Sequence, residues 1–427
     1  MEARSRNILI LHGLGPKKYR LKGQEEVELM FYERNENYNY FIHDINVKLP
    51  NKLKSFNFDV IYITATFLVK LSHPNFHQII DRDYAFLKSH KSTTIALPQD
   101  DYWCQETRDD WYTEYADLIV SVFDPIHWET LYPSFLKTKK PIIRGHTCYL
   151  SARLVNKIGT ISSGCEKIND IVYRSTGKPS FPNKLGYIKY SLGSSFKEKL
   201  KETLALDISN EPKDVILGDD WYRFIASSKA ILGSNSGSST IIRNHSEMLR
   251  IKKIMIENPN LETLEIYENF IKKEDKHFQL TDISPRNIEA ALCKTLQILI
   301  KGSYGGILKP GIDYVELEED FSNIDHVVSI LKHPNKTRTI IQNCYETIIN
   351  NKELSMSNLD QRIEDFLRPR LLFKENSEGL NNLKKQLKLH YTTLNLFMNA
   401  KFYFFHLVRT RFPLKIYNLL GRAYFKI

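Results

Sequence analysis

The stretch 281–323, TDISPRNIEAALCKTLQILIKGSYGGILKPGIDYVELEEDFSN, constrains the fold more than any other part of the chain. Ser284-Pro285 opens a short helix, because proline is well tolerated at the first helical position, and Glu289 and Ala290 fall in its second turn. An apolar strand from Thr295 to Ile300 follows, then a glycine turn at Gly302, Gly305 and Gly306, then a short strand from Tyr314 to Leu317. Helix start, buried strand and glycine loop at this spacing are what a doubly wound nucleotide-binding sheet needs at its ligand edge.

The rest of the chain repeats that grammar. Apolar runs at Asn7–Leu11, Val60–Ala65, Thr94–Leu97, Leu118–Val122 and Pro141–Ile143 are short, rich in Ile and Val, and separated by helix-length polar segments. Such runs suit parallel strands buried on both faces, so residues 1–147 are expected to form one α/β domain. In 148–170, Gly159, Ser162, Ser163 and Gly164 interrupt any period, and a hinge is expected there. A second α/β set follows over 171–352, with strands at Ile171–Tyr173 and Ala230–Leu232 and helices at Phe196–Leu206, Trp221–Ser228, Asn323–Leu331 and Lys336–Asn350. Two such halves leave a cleft between facing strand ends, and the functional site is expected there.

Charge decides where the chain meets partners. Lys and Arg outnumber Asp and Glu by 60 to 50, but nine of those cations and no acid lie in 384–427, so the first 383 positions are close to neutral. In that tail Leu387, Tyr391, Leu394, Met398, Phe402 and Phe405 recur at helical spacing, with Lys401, Arg409, Arg411 and Lys415 around the later turns. The pattern suits a helix lying in the interface of a membrane, or one packed back across the N-terminal domain. No nucleic-acid-binding module is recognisable, and no apolar run reaches the ~20 residues of a spanning helix. MEARSRNILIL reads as a first strand and not as a signal peptide. Five cysteines without a C-x-x-C pair point to a reducing, cytoplasmic setting. No H-E-x-x-H motif and no strand-end Asp-x-Asp implies a metal.

Several residues can carry chemistry. Gly233-Ser234-Asn235-Ser236-Gly237-Ser238-Ser239-Thr240 follows an apolar strand, and its amides and hydroxyls can hold a phosphate or simply make a strand-to-helix turn. Glu289 can accept two ribose hydroxyls or be a surface glutamate, and Arg286 offers a bidentate fork to a diphosphate. Tyr304 and Lys309, in and after the glycine turn, are candidates for ligand contact. Asp100 and Asp101 end the third strand, where one carboxylate can act as general base or cap the loop; His12 is a second base candidate, or a structural histidine.

Ser284-Pro285-Arg286, Glu289-Ala290-Ala291, Tyr304 through Lys309-Pro310 to Tyr314, and Asp320-Phe321-Ser322-Asn323 resemble the C-terminal half of bacterial GT-B glycosyltransferases from surface-polysaccharide gene clusters. Gln99-Asp100-Asp101-Tyr102, Asp170-Ile171-Val172-Tyr173-Arg174 and Gly218-Asp219-Asp220-Trp221 extend the resemblance over roughly 95–350. At Gly218-Asp219-Asp220 the simpler account is capping of a helix N-terminus. The resemblance implies two Rossmann-like domains facing across a cleft, the GT-B arrangement, and the residues after them, 353–427, are expected to form C-terminal helices ending in the basic aromatic, membrane-associating tail. It implies a donor site at Ser284, Arg286, Glu289 and the loop Ser236, Gly237, Ser238 and Ser239, with Arg174 entering the cleft. The family's loop carries an acidic residue where this chain has Asn235, which can only hydrogen-bond. The implied activity is transfer of a sugar from a nucleotide-sugar, CMP-Kdo or a UDP- or GDP-sugar, to a saccharide or lipid-linked oligosaccharide in lipopolysaccharide O-antigen or capsule assembly. It would act at the cytoplasmic face of the inner membrane, with the nucleotide-sugar as substrate and no cofactor. Asn235 leaves a second expectation, a glycan- or lipid-binding relative without turnover.

Overall fold

The computed structural model describes residues 6–370 except 33, 37, 90, 176–180 and 274–278, together with 384, 387, 399, 400 and 403. The N-terminal lobe is a six-stranded parallel sheet of β1 (Asn7–His12), β2 (Asn39–Asp44), β3 (Val60–Thr64), β4 (Thr93–Leu97), β5 (Leu118–Ser121) and β6 (Ile142–Arg144), ordered β2-β1-β3-β4-β5-β6. Five of the six coincide with the apolar runs. β2 does not, because an edge strand needs only one buried flank, and NYFIHD carries polar and half-exposed residues there.

The second lobe is a five-stranded parallel sheet of β7 (Asn169–Arg174), β8 (Leu206–Ser209), β9 (Ser228–Gly233), β12 (Leu296–Ile300) and β13 (Val315–Leu317), ordered β13-β12-β9-β7-β8. Two Rossmann-like lobes of this kind make the GT-B fold. In each sheet the first strand lies between the second and the third. Each sheet therefore has one point where the winding reverses, between β1 and β3 and between β7 and β9, and ligands of such sheets bind in that crevice.

Alternate strand residues face opposite layers. Leu9, Leu11, Ile61 and Ile63 pack with Phe67, Trp111 and Tyr112, whereas Ile8, Ile10, Val60 and Tyr62 face Met356, Leu359, Ile363 and Leu367. The helix Met356–Leu367 that supplies those last four thus crosses back onto the N-terminal lobe, where Glu364 accepts from Arg6 at 2.7 Å.

Three local expectations are corrected. The supposed hinge is helical over Ala152–Ser163, with the Ser151 hydroxyl accepting from the Leu154 N–H and with Leu154 and Ile158 buried; space is open around Gly159, so its glycine does not break the turn. The helix expected at 196–206 runs over Lys184–Lys199, and the end of that stretch opens β8. The serine-glycine loop does not lead straight into a helix. Its centre is β10 (Ser236–Ser238), paired antiparallel with β11 (Leu280–Asp282), and the next helix is His245–Glu257. Gly237 sits at φ 111°, where a Cβ would lie 1.8 Å from the Leu280 carbonyl oxygen, so this ribbon needs glycine.

The ribbon joins the lobes. Leu280 lies in the N-terminal core, and Ile242 exchanges backbone bonds with Tyr102 and Gln105 at 2.8 and 2.9 Å. Among the described residues no helix is long and apolar enough to cross a membrane. The basic aromatic stretch 384–427 lies outside the described residues except for isolated positions.

Candidate active site

At the second lobe's reversal point, the register Val172↔Ile231 carries forward to put Ser175, just beyond β7, beside Ser234, just beyond β9. Both hydroxyl oxygens are buried and neither has a hydrogen-bond partner among the described residues. Buried polar groups are normally paired, so two adjacent orphans ask for a ligand's oxygens. Arg286 stands next to them: its Nη2 donates to the Arg174 carbonyl at 2.6 Å, and its guanidinium lies over the Tyr173 and Trp221 rings at 5.0 and 5.5 Å. Lys189 approaches from the helix Lys184–Lys199. Burial and the Arg286 charge hold its ammonium down to about 8, with Asp100 of the other lobe pulling the opposite way. Two cations without carboxylate hydrogen bonds among the described residues, beside two hydroxyls likewise unpaired there, form an anion-accepting edge.

Glu289 belongs to the same edge. Its helix, Pro285–Leu292, is closed by a capping box in which the Ser284 hydroxyl accepts from the Arg286 N–H at 3.2 Å and Asn287 accepts from the Ser284 N–H at 3.0 Å. Ser284 therefore serves the helix. Trp221 Nε1 donates to Glu289 Oε2 at 2.7 Å. On the other side the N-terminal lobe comes so close that a Cβ at Gly23 would lie 2.7 Å from Oε1. Burial pushes the Glu289 carboxyl up to about 7, against the Trp221 hydrogen bond and the Arg286 charge.

Other sequence candidates are engaged by the protein itself. Arg174 has all three guanidinium nitrogens bound, to the carbonyls of Asp214, Tyr173 and Asp207 and to the Asp207 carboxylate at 2.7 Å, so it does not reach into the cleft. Asn235 accepts from the Tyr304 N–H at 3.0 Å, and its amide fills the space where a Cβ at Gly302 would fall, so it clamps the glycine turn. Tyr304 is fully buried, its hydroxyl bound to the Ile300 carbonyl. Ser236 and Gly237 are ribbon residues, the Ser238 hydroxyl bonds to Thr240, and Ser239 accepts from the Lys184 N–H at 3.2 Å. Lys309 is exposed on the crossover from the end of β12 to the start of β13, which leads away from the strand ends that face the cleft. Asp219 makes no side-chain cap and pairs instead with Lys157 at 2.7 Å.

Two of the three base candidates of the first lobe are also closed. Asp101 is 1% exposed and accepts from Tyr112, Tyr132 and Arg108; burial pushes its carboxyl up, and no face is left for an acceptor. His12 is buried, and its Nδ1 accepts from the Leu14 N–H at 3.1 Å. Burial lowers it to about 4, with Asp44 acting against the shift. Asp100, partly exposed and bound by the Tyr102 hydroxyl at 2.7 Å, is the aspartate that faces the second lobe. Among the described residues no three His, Cys, Asp or Glu side chains gather to hold a metal ion.

One pair escaped the sequence reading. His146, two residues beyond β6, points Nδ1 at Asp282, the last residue of β11, at 3.3 and 3.4 Å from its two oxygens. Asp282 also accepts from Arg144 Nη2 at 3.0 Å and from the Thr147 N–H at 3.2 Å. A small pocket at the ends of β3, β4 and β5 is lined by Glu28, Thr64, Gln99, Val122, His146 and Tyr149. The signal was a Gly-His step at a strand end, Gly145-His146, the counterpart of His12-Gly13. Its partner is 136 residues away, which no spacing reveals.

No protein-family model matches the chain, and no curated protein matches it. Among solved structures, Anabaena HepE in complex with UDP is similar at 10% identity, with 85% of this chain and 100% of that one covered and a TM-score of 0.42. Sucrose-phosphate synthase from Thermosynechococcus elongatus is similar at 10% identity over 85% of this chain and 98% of that one, with a TM-score of 0.43. A UDP-N-acetylglucosamine 2-epimerase shows 10% identity over 87% and 99%, with a TM-score of 0.40.

Proposed function

We propose that the protein is a glycosyltransferase that binds a nucleotide-sugar donor at the β7/β9 edge and an acceptor hydroxyl at the first lobe's strand ends. The observation that carries the reading is the pair of orphaned hydroxyls, Ser175 and Ser234, at the reversal point beside Arg286 and Lys189. The donor's phosphate or diphosphate supplies the acceptor oxygens those hydroxyls lack, and the two cations offset the charge that develops as it departs. Glu289, beside the same edge, is the group for the ribose hydroxyls. CMP-Kdo, UDP-sugars and GDP-sugars remain the donor classes, and a saccharide or lipid-linked oligosaccharide of lipopolysaccharide or capsule assembly is the acceptor class that the sequence resemblance supports. The tail 384–427, basic and aromatic, would hold the enzyme at the cytoplasmic face of the inner membrane.

Calorimetry of UDP, GDP and CMP against the full chain and Glu289→Ala tests the donor site. One nucleotide is expected to bind the wild type and to lose most of its affinity in the variant, whose circular dichroism stays native. Equal affinity in the two proteins would remove Glu289 from the site. Deleting 384–427 should release the protein from anionic vesicles, and retained binding would remove the tail from the membrane reading. A second reading, a glycan- or lipid-binding relative without turnover, draws on Asn235. Because its amide already crowds Gly302, Asn235→Asp is the compatible acidic variant, and turnover gained only by it would favour that reading.

A further inference from the structure

We infer that His146 takes the acceptor's proton, with Asp282 as its positioning residue; the inference rests on the glycosyl-transfer reading above. The Asp282 carboxylate receives hydrogen bonds from Arg144 and the Thr147 amide, which hold it in place in the junction between the lobes. With Nδ1–H donated to that carboxylate, the neutral imidazole carries its free lone pair on Nε2. That nitrogen has no protein partner among the described residues, and His146 lines the pocket at the strand ends. Its backbone is held by Tyr149, whose hydroxyl accepts from the His146 backbone N–H at 2.8 Å. By contrast, Asp101 is sealed by two tyrosines and an arginine, and His12 presents Nδ1 to its own backbone.

In the step, Nε2 accepts the proton of the acceptor hydroxyl while that oxygen forms the bond to the anomeric carbon. The bond from the anomeric carbon to the phosphate oxygen breaks, and its electron pair leaves with the nucleotide toward Arg286 and Lys189. A single displacement of this kind inverts the anomeric configuration. The titratable groups around His146 are Asp282, Arg144, Tyr149 and, across the pocket, Glu28.

The test uses the full chain. Binding of UDP, GDP and CMP is measured first, then nucleotide release from UDP-glucose, GDP-mannose and CMP-Kdo. His146→Gln is expected to lower release about 100- to 10,000-fold with nucleotide affinity within about twofold of wild type, and to abolish the acid limb of the pH–rate profile. Asp282→Asn should lower the rate less, with the loss carried by kcat and KM for the donor within about twofold of wild type. The anomeric configuration of the wild-type product, read by NMR, needs no variant. Retention of configuration, a His146→Gln rate within about threefold of wild type, or a bound donor that is never turned over would each overturn the assignment and leave the donor site standing. Failure of all three nucleotides to bind would bring down the donor reading itself.

Discussion

The two lobes wind their sheets in the same way, yet their reversal points are treated differently. Between β1 and β3 the crevice is filled from within. Glu28 accepts from the Thr64 hydroxyl, from the Thr66 hydroxyl at 2.6 Å and from the Thr66 N–H at 2.9 Å, while the Thr66 hydroxyl oxygen accepts from the Gly13 N–H at 2.7 Å. Between β7 and β9 nothing of the kind occurs among the described residues, where Ser175 and Ser234 have no partner. Buried polar groups are normally paired, so two orphaned hydroxyls side by side at a reversal point leave room for a ligand's oxygens. Apart from its own reversal point, the first lobe offers its chemistry where its partners come from across the cleft, at His146 and Asp282.

Four measurements would break or sharpen this contrast. The largest effect is expected in the self-satisfied lobe: Asp101→Ala strands the buried Arg108 and should lower stability by about 3–5 kcal/mol, against a negligible change for Asp100→Ala, both read from denaturant unfolding. Next comes Glu289. Its folded carboxyl titrates near 7 against an ordinary 4.5, so the folded state holds its proton longer than the unfolded chain. Stability is then lost as pH rises between those values, by about 3 kcal/mol, and Glu289→Gln should remove that slope. Nucleotide affinity should move the opposite way, strengthening as Glu289 ionises, and a flat pH dependence would deny it the ribose. Third, Ser175→Ala with Ser234→Ala should weaken nucleotide binding by about 1–3 kcal/mol while leaving stability unchanged or slightly raised, because the orphan hydroxyls burden the fold without ligand. A clear loss of stability would mean that the two edges do not differ. The smallest effect is Lys309→Ala, exposed on the crossover, with nucleotide affinity expected within about 0.5 kcal/mol of wild type.

His12 and Glu28 act oppositely under pH. Held down to about 4, His12 contributes stability that is present above its ordinary 6.5 and is lost as pH falls toward 4. Glu28, pushed up to about 7 by burial, weakens the fold as pH rises from 4.5 to 7. Their opposition flattens the acid side of the stability curve.

Much of the scaffold was legible because buried parallel strands need unbroken apolar runs. Val60–Thr64 and Leu296–Ile300 stand out for that reason, and Asn39–Asp44, an edge strand, does not. The helix Pro285–Leu292 was legible through Ser284-Pro285, since its capping signal is local. The site was less so. Arg174 and Arg286 look alike in sequence, but one is saturated by the β7–β8 edge and the other faces Trp221 and Tyr173. Asp100 and Asp101 are neighbours, and a single residue of register sends one toward the second lobe and the other into a tyrosine cage.

From residue order alone come the apolar periods and the helix caps, because each depends on a few adjacent residues. Tertiary structure alone decides which polar groups stay free. The partner of His146 lies at 282 and that of Glu289 at 221, and the β7/β9 winding sets Ser175 beside Ser234, contacts that exist only once separate parts of the chain are packed together.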